Sequence, residues 1–131
     1  MEFFGESITL PPEARFGSTS SVQRYVDDVL ALPIVTERWP GRGSVTVRDR
    51  RGVRAAHYES GGVIAVPQRT GVDWAMRELV ILHELAHHLC GADTPAHGPE
   101  FTETLCQLTA AVMGPEVGHV LRMVYVRGGV R

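Results

Sequence analysis

One apolar stretch of helical length constrains the fold more than any other part of this sequence. Residues 74–90 are almost wholly apolar apart from a few ionisable side chains, and Asp73 and Gly91 stand where a helix N-cap and C-cap belong. A helix that is apolar on nearly every side belongs in the protein interior, because no face of it suits water. The remaining elements must therefore pack around this helix.

The residues before this helix predict one further helix and a small sheet. Ser20 and Gln23 form a capping-box pattern ahead of apolar residues that recur at helical spacing, and Pro33 ends that run. Three strands are then expected from alternating or continuous apolar residues bounded by turns. They are the stretch around Val45 and Val47, residues 53–58 after a turn at 49–52, and residues 63–66.

Two more helices are predicted after the apolar helix. Pro99 suits the first position of a helix, and Gly114-Pro115 separates that helix from a last one that runs to about Val126. The 131 residues are 44% hydrophobic and 21% charged, which fits a single globular domain over 1–131 with one core. We therefore expect an α+β domain with an N-terminal helix, a small twisted mixed sheet, the apolar helix and two C-terminal helices.

The third strand is predicted to lie at the edge of the sheet. Gly62 and Pro67 bracket it, and a proline cannot donate a hydrogen bond to a strand ladder. An extended peptide can pair along such an edge. The substrate-binding candidates that follow are Val63, Ile64, Ala65 and Val66.

The middle of the apolar helix reads His83-Glu84-Leu85-Ala86-His87. The two histidines are one turn apart, so both imidazoles project from one face and can share a metal ion. Glu84 lies beside the pair, within reach of a water on that metal. Zinc lowers the pKa of a bound water to about 7, and a nearby carboxylate can then remove the proton. The pattern predicts one zinc per chain and a hydrolase with Glu84 as its catalytic base.

A catalytic zinc ion normally has three protein ligands and one open position. His97 is the predicted third ligand, because it lies beyond the turn at Gly91 and directly before a helix start. Glu100 and Glu103 on the first turn of that helix are alternatives, although the helix dipole alone favours acidic residues there. His88 points about 100° away from His87 and is expected at the surface or in a supporting role.

Three other side chains are secondary candidates for the predicted site. His57 and Tyr58 are neighbours on one strand and point to opposite faces, so at most one of them can face the metal. Tyr58 is the substrate-binding candidate, with a half-buried sheet aromatic as the alternative. Cys90 is a poor partner for two histidines of its own helix, and both cysteines are expected to be buried thiols.

These motifs resemble those of a known group of enzymes. His83-Glu84-x-x-His87 followed by His97-Gly98-x-x-Phe101 is similar to the signature of SprT-like minimal zincins, and the wider pattern resembles a family of short actinobacterial metallohydrolases. The stretches that carry the wider likeness are residues 10–12, 22–26, 56–58, 62–67, 77–80 and 97–101. The resemblance implies a zincin fold, a metallopeptidase activity and a histidine third ligand at His97.

The sequence departs from the DNA-repair proteases of this kind, since it has no zinc ribbon and no basic tail. Its one basic cluster, Arg48, Arg50, Arg51 and Arg54, fits a solvated turn, and the net charge is −2, so we do not expect nucleic-acid binding. With no leader-like segment and no apolar run of membrane length, we expect a cytoplasmic monomer that acts on a peptide or protein. The alternatives are a non-catalytic zinc-containing binding module and a small-metabolite amidase or esterase.

Overall fold

The computed structural model describes residues 2–3, 6–7, 16–50, 56–67, 77–91 and 98–127. The helices are α1 (Thr19–Ala31), α2 (Pro33–Arg38), α3 (Glu78–Cys90), α4 (Pro99–Met113) and α5 (Pro115–Arg127). The strands are β1 (Glu2–Phe3), β2 (Glu6–Ser7), β3 (Thr46–Arg50), β4 (His57–Glu59) and β5 (Val63–Pro67). This order confirms an α+β protein in which an N-terminal helix and a small mixed sheet precede the apolar helix and two further helices.

Helix α3 lies in the hydrophobic core, as its composition predicted. Leu82, Leu85 and Ala86 have no exposed surface, and Leu89 is 1% exposed. They pack with apolar side chains of the N-terminal helices, the sheet and α4, among them Val22, Val26, Val35, Ile64, Val66, Leu105 and Leu108. Each fully buried leucine stabilises the fold by roughly 1.5–3 kcal/mol. The helix that carries the two histidines is therefore held rigidly from several sides.

Strand β5 is the central strand of its sheet, so the prediction of an edge strand is wrong. The strand order is β3-β5-β4, with β3 parallel and β4 antiparallel to β5. Pro67 is the last residue of β5, where its missing donor removes little from the ladder. The stronger signal was the continuous apolar run, which is typical of a strand covered on both faces.

The side chain of Gln23 covers the outer edge of β3. Its Nε2 donates to the carbonyl of Val45 at 2.8 Å, and the Val47 amide donates to its Oε1 at 2.7 Å. Gln23 thus pairs with the strand as a neighbouring backbone would, instead of forming the predicted cap. The cap is Ser18, whose hydroxyl accepts from the Ser21 amide at 3.1 Å. In the part of the chain that the structure describes, the outer edge of β4 pairs with no other strand.

The turn predicted at 49–52 does not join adjacent strands, because β5 lies between β3 and β4 and β3 runs to Arg50. Residues 51–55, which include Arg51 and Arg54, lie outside the described ranges. Arg48 of the basic cluster forms an ion pair with Glu59 of β4. Within the described ranges, no helix has the length and apolar character needed to cross a bilayer.

Helices α4 and α5 pack closely at the end of the described chain. Pro99 is the first residue of α4, as predicted, and Gly98 is its N-cap. A Cβ atom built on Gly118 of α5 would lie 2.6 Å from the Cβ atom of Ala110 on α4. The missing side chain of Gly118 therefore sets the close approach of these two helices.

Candidate metal centre

Three side chains of α3 converge on one point. The ring centroids of His83 and His87 lie 5.1 Å apart, with the rings nearly perpendicular at 80°. One ligand atom from each histidine and one from Glu84 all lie within 4.8 Å of one another. Donors bound to a single zinc ion at about 2.0–2.2 Å can be at most about 4.4 Å apart. The spacing is close to that limit, and imidazole and carboxylate groups are zinc ligands, so these residues could hold the metal.

Glu84 is a buried carboxylate in contact with one of the two imidazoles. It is 7% exposed, and its Oε2 lies 3.1 Å from Nδ1 of His83. An Nδ1–H that donates to a carboxylate leaves the Nε2 lone pair for a metal, which is how acidic neighbours commonly orient metal-binding histidines. Within the described part of the chain, the other oxygen of Glu84 makes no hydrogen bond. Glu84 can therefore orient His83 with one oxygen and accept a proton at the other.

Phe101 brings the first turn of α4 against the histidine pair. Its ring stacks on His87 with a centroid distance of 4.3 Å and meets the edge of His83 at 5.1 Å. Phe101 is 2% exposed, so these contacts are buried. The chain enters α4 at Gly98, and His97 is the residue directly before it. His97 itself lies outside the described residues, so its role as third ligand stays a prediction.

Glu103 faces α5 and not the histidine pair. It accepts hydrogen bonds from Arg122 and from Gln107 Nε2, the latter at 2.8 Å. These hydrogen bonds, above all the one from Arg122, hold the pKa of Glu103 below its ordinary value. Glu100 is exposed, and its backbone carbonyl accepts from the Cys90 thiol. Among the described residues, Glu100, Glu103 and Cys90 are not part of the group around His83 and His87.

Both cysteines remain thiols, and Cys106 is buried as expected while Cys90 is partly exposed. Burial raises the pKa of the Cys90 thiol, and a hydrogen bond with Thr104 opposes this effect. A thiol with a raised pKa holds its proton and is a weak metal ligand. Among the described residues, Cys90 is not part of the group formed by His83, Glu84 and His87.

Tyr58 and His88 lie beside the histidine pair on its sheet side. The Tyr58 ring is nearly parallel to that of His87, with centroids 6.4 Å apart, and its hydroxyl oxygen is 2.9 Å from His88 Nδ1. Nε2 of His88 is 3.1 Å from the carbonyl oxygen of Gly43. His88 is 8% exposed, so it is a supporting residue and not a surface one. His57 points to the other face, where it contacts Glu59, as the alternation of the strand predicted.

The four substrate-binding candidates on β5 are not placed where a peptide could pair with them. The strand has a neighbour on each side, so its backbone groups are already used in the sheet. Three of the candidates, Ile64, Ala65 and Val66, have no exposed surface, and Val63 is only partly buried. The sheet edge beside the histidines is β4 instead, the strand that carries Tyr58.

Sequence reasoning missed the aromatic contact of Phe101 with the histidines and the socket around His88. In the sequence, Phe101 stood out only through the His97-Gly98-x-x-Phe101 motif. The contacts of His88 join residues 30 and 45 positions apart in the chain, which no local pattern reveals.

Comparison of the chain with protein-family models, with curated protein sequences and with solved structures finds no match. The case for a function therefore rests on the chemistry and geometry of this site.

Proposed function

We propose that this protein is a zinc-dependent hydrolase, a metallopeptidase that cleaves a peptide or amide bond. His83 and His87 would supply two ligands of a single zinc ion, and His97 the third. The observation that carries the proposal is the compact group of two imidazoles and one buried carboxylate, with ligand atoms within 4.8 Å of one another. Bound zinc would lower the pKa of a coordinated water to about 7 and polarise the substrate carbonyl.

Glu84 supplies the proton transfers. Its carboxylate takes a proton from the attacking water, and the same carboxyl group can pass that proton to the nitrogen that leaves. Its burial favours this role, because a carboxylate shielded from bulk water interacts more strongly with neighbouring charge. A purely structural zinc site has no need of a base and is usually filled by four protein ligands, often cysteines.

The first turn of α4 supports the assignment of His97. Phe101, three residues after the N-cap Gly98, packs on both imidazoles, so the first turn of α4 lies against them. His97 directly precedes Gly98 in the sequence. A third imidazole from this position would complete the set of ligands while one position stays open for water.

Strand β4 is the part of the sheet along which we expect an extended substrate to lie. β5 is enclosed by its two neighbours, and Gln23 occupies the outer edge of β3. β4 contacts α3 through Tyr58, whose ring lies beside His87. A peptide added to β4 by main-chain hydrogen bonds would therefore run past the metal ligands.

The test is hydrolysis of fluorescein-labelled casein by the zinc-loaded protein and by Glu84→Gln. The substitution keeps the size of the side chain but removes its ability to accept a proton, so turnover should fall about 10²–10⁴-fold. Zinc content should stay at the wild-type value. Glu103→Gln is the matched control, because it makes the same chemical change at a carboxylate that faces α5. Turnover undiminished in Glu84→Gln, or a zinc-loaded wild type that cleaves nothing, would contradict the proposal.

A further inference from the structure

His88 joins three separate parts of the chain at the active-site helix. Its Nδ1 is 2.9 Å from the hydroxyl oxygen of Tyr58 on β4, and its Nε2 is 3.1 Å from the carbonyl oxygen of Gly43. A carbonyl oxygen can only accept, so Nε2 carries a hydrogen. In the neutral imidazole Nδ1 is then an acceptor, and the Tyr58 hydroxyl donates to it. The direction of the hydrogen bond to Gly43 is thereby fixed.

The space around the His88 ring depends on glycine. Gly43, which supplies the carbonyl, has φ of +79°, and Gly62, just before β5, has φ of +86°. A Cβ atom on Gly62 would lie 2.9 Å from the Ser44 carbonyl oxygen and 3.6 Å from Cε1 of His88. The backbone thus closes around the imidazole on two sides, and the ring has little freedom to turn.

The Tyr58–His88 hydrogen bond ties β4 to α3. β4 has three residues and pairs with β5 along one side. Its Tyr58 side chain contacts α3 at two consecutive residues, with the ring beside His87 and the hydroxyl on His88. One turn of α3 therefore carries both a metal-ligand candidate and the anchor of the neighbouring strand.

We propose that His88 is a positioning residue, which holds β4, and a peptide paired with β4, at a fixed distance from the metal. This inference rests on the proposed hydrolase function. Reacting atoms need to approach to about 3–3.5 Å, and a misplacement of 1 Å can lower the rate about 10²-fold. Loss of the anchor should therefore lower kcat much more than it raises KM, because the peptide still pairs with the strand but its carbonyl is misplaced.

Tyr58 does not act on the substrate in this scheme. Its hydroxyl is engaged with His88, with the oxygen 2.9 Å from Nδ1. The two roles give different results for His88→Phe, which removes the acceptor but keeps an aromatic ring. If Tyr58 donated to the substrate, removal of its partner would leave that donor in place and kcat would persist. If the hydrogen bond positions β4, His88→Phe and Tyr58→Phe should have similar effects.

The experiment compares Tyr58→Phe, His88→Phe and the double variant with wild type on fluorescein-labelled casein, with zinc content and melting temperature measured for each. We expect each single variant to lower kcat about 10–100-fold, with KM changed by less than about threefold and one zinc per chain retained. The double variant should be little worse than the poorer single variant, because both changes break one tie. Tyr25→Phe is the matched control, since it removes a hydroxyl that contacts Glu78 at the other end of α3.

Three results would overturn the inference. A lower melting temperature with wild-type kcat in both single variants would show that the tie is only structural. Losses that multiply in the double variant would show that Tyr58 and His88 act separately. A wild type that holds zinc but cleaves nothing would remove the proposed function, and the positioning role with it. That last result is distinguishable from the first two, which require an active wild type.

Discussion

Phe101→Leu tests whether the start of α4 orients the two histidines. The substitution keeps most of the apolar volume but removes a 2% exposed ring whose centroid lies 4.3 Å from that of His87 and 5.1 Å from that of His83. The lost aromatic contacts are worth about 0.5–1.5 kcal/mol, and the change of shape in a packed core costs up to about 1.5 kcal/mol more. The unfolding free energy should therefore fall by about 0.5–3 kcal/mol, which lowers the melting temperature by roughly 2–10 °C.

Phe101→Leu should weaken zinc binding more than a substitution elsewhere in the core of α4 does. Groups that orient metal ligands typically change metal affinity about 10–100-fold when they are removed. Competition with a chromogenic chelator measures that affinity, and thermal unfolding measures stability. Leu105→Val is the control. It deletes one buried methylene group one turn along α4 from Phe101, which should lower the free energy of unfolding by about 1 kcal/mol. Equal zinc affinity in Phe101→Leu and Leu105→Val would refute the orienting role of the ring.

Three further predictions concern stability and reactivity away from the metal. Gly118→Ala should lower the unfolding free energy by about 1–3 kcal/mol in urea melts, because its Cβ would lie 2.6 Å from that of Ala110; unchanged stability would mean that the helices separate freely. Hydrogen bonds, above all the one from Arg122, hold the pKa of Glu103 below its unfolded value of about 4.5. The exposed Glu103–Arg122 ion pair should therefore raise the free energy of unfolding by up to about 1 kcal/mol at neutral pH. That gain should be lost as pH falls through the folded pKa, so urea melts of wild type and Glu103→Gln should converge in acid; a difference that persists there would contradict the linkage. Burial raises the pKa of Cys106, so iodoacetamide at pH 8 should modify it slowly in the native protein and rapidly in urea, as followed by mass spectrometry; equal rates would contradict its burial.

The parts of the fold that the sequence predicted correctly are set by local signals. The apolar residues of α3 and its C-cap at Gly91 are all adjacent in the chain, and Gly91 has the positive φ of +90° that favours glycine. The same holds for the start of α4 at Pro99. The convergence of His83 and His87 follows from helix geometry alone, so the most specific part of the site was also predictable.

The errors arose where distant segments decide the outcome. The strand order depends on how β3 reaches β5 across residues 51–62, and Pro67 carries only local information about that pairing. His88 was expected at the surface or in a supporting role, and its contacts with Gly43 and Tyr58 bury it, which rules out the surface alternative. The position of Gln23 fits a capping pattern, whereas in the structure its side-chain amide forms hydrogen bonds with the backbone of Val45 and Val47. In each case a long-range contact overrides a valid local preference.

Zinc content of the purified protein tests the central claim most directly. Wild-type protein that is loaded with zinc and then desalted should contain one zinc per chain by plasma mass spectrometry, because three protein ligands suffice for tight binding. His97→Ala should lose most of that zinc, whereas Glu100→Gln and Glu103→Gln should retain it. Full zinc occupancy in His97→Ala with loss in either glutamate variant would show that the third ligand is a carboxylate. A wild type that retains no zinc would contradict the metal centre itself.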